Sequence, residues 1–259
     1  SEHLWLDSFY PMLALLVGVG AQELVNLFSK DKEAKFLAQA FRHYLSKDLL
    51  DEVQRHPGRL KLGGENRRIC VMFCDIRGFT TKSEQLEPEQ VSTLLRIFFN
   101  PMTKIIQGQG GLVDKFIGDE VMALFNAPVD LPDYAARACL AALDMLDALT
   151  LINEALHQEG LPRIDIGIGL NHGWATVGNL GSEERFDYTA VGDTVNLAAR
   201  IQGVNKEFGT HILITEYVAA AIAGDARFEL RDCGPIQVRG RENEVRVYEL
   251  LRPGRRQAL

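Results

Sequence analysis

No two cysteines in this chain stand at C-x-x-C spacing, and no histidine pair follows at zinc-finger distance. That pattern excludes a structural zinc site and a redox dithiol, so Cys70, Cys74, Cys139 and Cys233 read as reduced thiols in a reducing compartment. An excess of positive charge is also missing. Lys and Arg number 28 against 35 Asp and Glu, a net charge of −7, whereas a surface built for the nucleic-acid backbone needs clustered cations. No nucleic-acid partner is expected, although a nucleotide substrate would need only a local basic pocket. There is no internal repeat and no low-complexity tract. The hydrophobic share of 46% and charged share of 24% are those of a folded core, and 259 residues suit one larger domain with an appendage.

Long uncharged apolar runs are scarce as well. Phe9 to Ala21 carries no charge but is shorter than the ~20 residues of a membrane span. Counting from Leu4 and tolerating Asp7, Gln22 and Glu23 gives enough length, with Trp5, Phe9 and Tyr10 as an interfacial belt and Lys30, Lys32 and Lys35 at the far end. We therefore expect residues 1–28 to form the end of a transmembrane segment, with a membrane-anchored protein and everything after Lys30 in the cytoplasm. The plainer alternative is an amphipathic helix packed on a partner. No basic n-region precedes the run, which disfavours a signal peptide. The chain also lacks an initiator Met and reads as a piece of a longer protein. Residues 29–59 show helical periodicity (Leu37, Phe41, Tyr44, Leu45) and are expected as a helical linker, whose stripe packs on a dimer partner or on its own domain.

What is present is a set of short strand-like runs that end in carboxylates. In Arg68–Thr81, RICVMFCDIRGFTT, an apolar β-favouring run reaches Asp75, after which Gly78 opens a helix N-terminus at Phe79, Thr80 and Thr81. In Val113–Phe125, VDKFIGDEVMALF, two strand-like runs flank Gly118-Asp119, a hairpin signal with a carboxylate at its tip. Two aspartates at strand ends beside backbone N–H groups are what holding Mg²⁺ and a polyphosphate requires, so Asp75 and Asp119 are the expected metal ligands and Gly78, Phe79 and Thr80 the expected phosphate turn. Glu120, next along the strand, should point to the other side. Further on, GDTVNLAAR opens a helix over Thr194–Phe208 in which Asn196 and Arg200 share one face at i, i+4 while Leu197, Ile201, Val204 and Phe208 form a buried stripe.

The remaining elements follow from periodicity. Helices are expected over Pro88–Gln107, broken or kinked at Pro101, and over Asp133–His157. Strands are expected over Ile164–Leu170, Ala175–Val177, Ile212–Ile214, Ile236–Val238 and Val245–Leu250, with Asn171-His172-Gly173 as a turn and Thr215–Ala223 as a short helix. The order β-α-β-β-α-β with additions is that of an α+β, ferredoxin-like sandwich preceded by an N-terminal helical segment.

FCDIRGFT, KFIGDEVMALF and YTAVGDTVNLAAR, in that order, resemble the class III adenylyl/guanylyl cyclase catalytic domain. The resemblance covers residues 60–251 and leaves a tail over 252–259. It implies the same ferredoxin-like core and an adenylate cyclase that converts ATP to 3′,5′-cyclic AMP and pyrophosphate, using two ions of Mg²⁺ or Mn²⁺ per site. It adds the carbonyl of Ile76 as a metal ligand, assigns Asn196 to the ribose and Arg200 to the charge developing at the α-phosphate, and makes Lys115 and Thr189 the readers of the base. A lysine donor and a hydroxyl suit the N1 acceptor and 6-amino donor of adenine, whereas guanine readers of the family carry Glu and Cys. Arg239, with Arg241 as fallback, stands in VRGRENEV where the family has a lysine for the terminal phosphates. Since both halves of the family's shared site lie on this one chain, a homodimer is implied. The alternatives are a guanylate cyclase and a non-catalytic nucleotide-sensing relative. A diguanylate-cyclase palm lacks support, because FIGDE has no double glycine.

Overall fold

Ile69 to Cys74 form an unbroken apolar run, and a strand can carry such a run only if both its faces are covered. The computed structural model, which describes residues 63–182, 184–238 and 244–254, satisfies that condition. In β1 (Gly63–Ile76), Cys70, Met72, Cys74 and Ile76 enter one core cluster while Ile69, Val71 and Phe73 enter another on the opposite face. The segments expected over 1–28 and 29–59, and Arg239 and Arg241, lie outside the described residues.

Two helices, α1 (Phe79–Ser83) and α2 (Pro88–Gly108), lead to the hairpin β2 (Leu112–Ile117) and β3 (Glu120–Phe125). The long helix α3 (Tyr134–Gln158) then crosses to β4 (Ile166–Gly181). There follow β5 (Phe186–Val191), α4 (Asp193–Phe208), β6 (Ile212–Thr215), α5 (Glu216–Ala221), β7 (Glu229–Ile236) and β8 (Val245–Leu251). The sheet runs β2-β3-β1-β4-β6-β8-β7, with β5 paired to β4. Its first four strands, antiparallel β2-β3-β1-β4, are the ferredoxin-like core expected from the element order. Residues of α2 and α3 share the large cluster with one face of the sheet, and α4 packs on the other. The chain is thus an α+β sandwich.

Three expectations are corrected. Helix α2 continues through Pro101 instead of breaking there. Proline costs about 3 kcal/mol inside a helix, but Leu94, Phe98, Met102 and Ile106 recur at i, i+4, i+8 and i+12 and are all fully buried. Burying each such side chain contributes about 1.5–3 kcal/mol, so the stripe outweighs the missing backbone bond. The helix starts as expected at Pro88, where Glu87 N–H donates to Gln90 Oε1 at 2.9 Å. Second, Asn171-His172-Gly173 is not a turn but the middle of the 16-residue strand β4, paired with Val71, Cys70 and Ile69. Asn171 is buried and spends its amide on cross-links, donating to Thr194 O at 2.9 Å and accepting from Thr215 Oγ1 at 2.8 Å. Third, the strand expected at Ile236–Val238 lies earlier, as β7, and ends at Ile236. It is an edge strand with an irregularity between Asp232 and Gly234, so its sequence carries no clean alternation. The strand β5 was not foreseen.

The seating of α4 depends on one missing side chain. Ile166, Ile168 and Leu170 point from β4 into the large cluster, which leaves Gly167 and Gly169 facing α4. A Cβ built on Gly169 would lie 2.3 Å from the backbone N of Gln202 and 2.7 Å from the carbonyl of Ala198. Backbone cannot swing aside as a side chain can. Gly169→Ala should therefore push α4 off the sheet and destabilise the protein by about 1–3 kcal/mol. Denaturant titration followed by circular dichroism measures this, and an unchanged midpoint would show that the helix is free to shift.

Candidate active site

The end of β1 is shaped by its last turns. Gly78 adopts φ 66°, a left-handed conformation that a side chain disfavours, and so starts α1 immediately after the strand. Arg77 straps this corner to the rest of the sheet. Its Nε donates to Ile166 O at 3.1 Å, its guanidinium also reaches Thr210 O, and it pairs with Asp165 at 3.4 Å. Asp75 and the carbonyl of Ile76 are fixed just before that strap. Phe79 packs on the large cluster, and Thr80 is exposed at the start of α1.

Across β3, the two-residue turn Gly118-Asp119 closes the hairpin between Ile117 and Glu120, with positive φ at Gly118 alone. It brings Asp119 to Asp75, and the two carboxyl groups share a hydrogen bond. Burial first, then that bond and the charges of Asp119 and Glu120, push Asp75 up to about 8. Glu120 is itself pushed up to about 6, by burial and by Asp119. The charge of Glu120 is thus felt at Asp75 and that of Asp119 at Glu120, so the three carboxyl groups are electrostatically linked. Three acidic groups crowded at a strand end are short of positive charge. Two carboxylates with a main-chain oxygen fit a hard divalent cation that keeps room for water and phosphate ligands. Among the described residues no set of three or more His, Cys, Asp or Glu side chains is placed to hold a metal ion, so a cation here would rest on two carboxylates with main-chain, water or phosphate oxygens.

A second group assembles around residues far apart in sequence. Thr189, on β5, donates its hydroxyl hydrogen to Asp114 Oδ2, and Lys115 Nζ lies 3.5 Å from Asp114 Oδ1. The Asp114 side chain is 1% exposed and that of Lys115 36%. Burial raises the Asp114 carboxyl, while the Thr189 hydrogen bond and the Lys115 charge oppose the rise. The structure therefore brings together Lys115 and Thr189, as expected, and adds Asp114, which sequence reasoning missed. The signal was hidden by an irregularity between Val113 and Lys115 that breaks the alternation of β2.

On α4 the expected division holds. Leu197 and Ile201 are fully buried, Val204 and Phe208 pack against the same small cluster, and Asn196 and Arg200 are exposed together on the outer face. A cavity of about 1120 Å³ lies elsewhere, lined by Arg68, Tyr134, His172, Trp174 and Arg227 among others, and none of the candidate site residues borders it. His172 there is structural: it bonds Tyr134 Oη at 2.8 Å and the Tyr217 backbone, and burial, with Arg68, lowers its pKa.

Residues 64–252 match the family model described as the adenylate and guanylate cyclase catalytic domain. The chain belongs to this cyclase family. Among curated relatives, an adenylate cyclase of Anabaena cylindrica is 38% identical over 186 residues, covering 71% of this chain and 37% of that protein. Adenylate cyclase 1 of Rhizobium meliloti is 37% identical over 185 residues, covering 71% and 28%. The cyclase chain thus spans about a third of the length of these relatives. Among solved structures, a guanylyl cyclase is 36% identical with TM-score 0.69, covering 76% of this chain and 98% of that one. The adenylyl cyclase of P. aeruginosa is 33% identical with TM-score 0.68, covering 76% and 100%. The α+β architecture of the cyclase domain agrees with both. No helix among the described residues is long and apolar enough to cross a membrane.

Proposed function

We propose that this cyclase domain is an adenylate cyclase acting as a homodimer, in which the 3′-hydroxyl of ATP attacks the α-phosphorus. The O3′–Pα bond forms, the bond from Pα to the bridging oxygen of the β-phosphate breaks, pyrophosphate leaves, and the hydroxyl proton passes to solvent. The observation that carries the reading is the convergence of Lys115 and Thr189 on one buried carboxylate from separate strands, apart from the Asp75–Asp119 group. Lys115 donates to N1 of adenine and Thr189 accepts from its 6-amino group. Asn196 orients the ribose. Arg200 stabilises charge developing on the α-phosphate, a task suited to its planar guanidinium. Gly78, Phe79 and Thr80 line the phosphates with backbone N–H groups, and Arg239 holds the terminal phosphates. Asp75, Asp119 and the Ile76 carbonyl would hold two ions of Mg²⁺ or Mn²⁺, which supply charge neutralisation and a more acidic 3′-hydroxyl.

The two groups have their hydrogen bonds and ion pairs within themselves, which supports a site completed by a second copy. Phe116, Ile117 and Val191 flank the base-reading residues and stand 46%, 50% and 49% exposed, an apolar surface suited to such a partner. The likeness to a guanylyl cyclase at 36% identity makes the guanylate reading the alternative, and the base readers decide between them. Because lysine only donates, it faces an N–H on the guanine edge, and an unpaired buried polar group costs ~1–3 kcal/mol, or roughly tenfold and more in rate. ATP should be preferred over GTP by at least that factor. The double variant Lys115→Glu/Thr189→Cys should raise the ratio of cyclic GMP to cyclic AMP formed. Equal use of GTP by the wild type, or an unchanged ratio in the folded variant, would remove the support for ATP.

A further inference from the structure

We infer that Asp114 fixes the hydrogen-bond polarity of Thr189 and is thereby the positioning residue through which this chain recognises the 6-amino group of its purine. The inference rests on Lys115 and Thr189 being the base contacts.

A threonine hydroxyl alone is a poor discriminator, since it carries one hydrogen and two lone pairs and can turn either toward a base. Here the hydrogen is already committed. Thr189 Oγ1 donates to Asp114 Oδ2, and an ionised carboxylate can only accept. At 1% exposure the Asp114 side chain has no bulk water to compete for that hydrogen. The Lys115 ammonium, 3.5 Å from Oδ1, favours the charged carboxylate against the burial that opposes it. That contact is an ion pair rather than a hydrogen bond, and Oδ1 has no hydrogen-bond partner among the described residues. With its hydrogen directed inward, Thr189 presents only lone pairs outward, whereas Lys115 presents only hydrogens. One acceptor beside one donor is the complement of adenine's 6-amino group and N1. A 6-oxo purine would set oxygen lone pairs against those of Thr189. The buried carboxylate thus converts an ambivalent hydroxyl into an acceptor without touching the base.

The test uses the full chain and a probe that changes one position of the base. Purine riboside triphosphate keeps the N1 acceptor and lacks only the 6-amino group. Wild-type protein should favour ATP over this probe in kcat/KM by roughly tenfold, one buried hydrogen bond. Thr189→Val should bring the ratio near one. Asp114→Asn should do the same, because its amide oxygen will turn to Lys115 and its NH₂ to Thr189, which reverses the hydroxyl. It should also raise the relative rate on inosine triphosphate, whose 6-oxo group accepts. In the Thr189→Val background Asp114→Asn should change the ratio no further. Asp114→Ala, which merely frees the hydroxyl, should lower the ratio too and serves if the asparagine variant fails to fold. A folded Asp114 variant that keeps the wild-type ratio, or one whose effect persists in the Thr189→Val background, overturns the inference while leaving the adenylate cyclase reading in place. A wild-type enzyme that cyclises ATP and the probe equally well does the same. A wild-type enzyme that cyclises GTP and not ATP overturns the adenylate reading itself.

Discussion

Asp75→Asn will give a folded protein with at least roughly hundredfold less cyclase activity, and Asp119→Asn will do the same. Both substitutions are isosteric and fall in the pair that already share a hydrogen bond, so the fold has no reason to change. What changes is the charge available to hold divalent cations. A second readout needs no activity. Without metal, Asp75 is pushed up to about 8, against ~4 for an ordinary aspartate. An acid whose folded pKa lies above its unfolded one binds more protons when folded, so its contribution to stability is present at low pH and is lost as pH rises through about 8. Metal-free wild-type protein should therefore melt at lower temperature at pH 8.5 than at pH 6, and Mg²⁺ or Mn²⁺ should recover much of the difference. Asp75→Asn should flatten that dependence and its response to metal, leaving the smaller slope from Glu120, which is raised to about 6. Near-native turnover, or an unaltered response to metal, would end the assignment of Asp75 as a ligand.

Mixing two dead proteins will restore activity. Asp75→Asn leaves the base readers and Arg200 intact, and Arg200→Ala leaves the carboxylates intact. If each site takes carboxylates from one chain and Lys115, Thr189, Asn196 and Arg200 from the other, a mixed dimer contains one site with both halves whole and one with neither. Random re-association makes half the dimers mixed, so recovery to roughly a quarter of wild-type activity is expected. The comparison is with each variant alone at the same total concentration, and dimer exchange is verified with differently tagged chains. A verified mixed dimer with no more activity than its parents would mean that catalysis does not cross the interface.

The parts of this molecule that were legible in its sequence are those where a period was unbroken. The apolar run before Asp75 became β1, the Gly118-Asp119 signal became a two-residue hairpin, and the i, i+4 spacing of Asn196 and Arg200 placed both on the outer face of α4. Legibility failed where tertiary contacts overrule a local rule. Pro101 is a helix breaker by chemistry, yet the stripe from Leu94 to Ile106 holds the helix through it. Asn171 and His172 belong to turns by composition, yet Asn171 has two buried partners and His172 a half-buried one that keep them in a strand. Asp114 was hidden for another reason: its partner Thr189 lies 75 positions away, and the irregularity in β2 is invisible without the pairing. Of the candidate site, the individual residues could be read, but their grouping needed the fold.

Gly169 bears on how an activating signal can reach the site. At Gly169 helix backbone rests directly on strand backbone, so at that point no side chain lies between α4 and β4 to be compressed or repacked. Interiors that dense transmit displacement instead of absorbing it. Asn196 and Arg200 are thus rigidly coupled to the strand beneath them, and no modest stimulus will slide the helix along its own sheet. In the proposed homodimer, a change in activity would then have to come from movement of one whole protomer against the other.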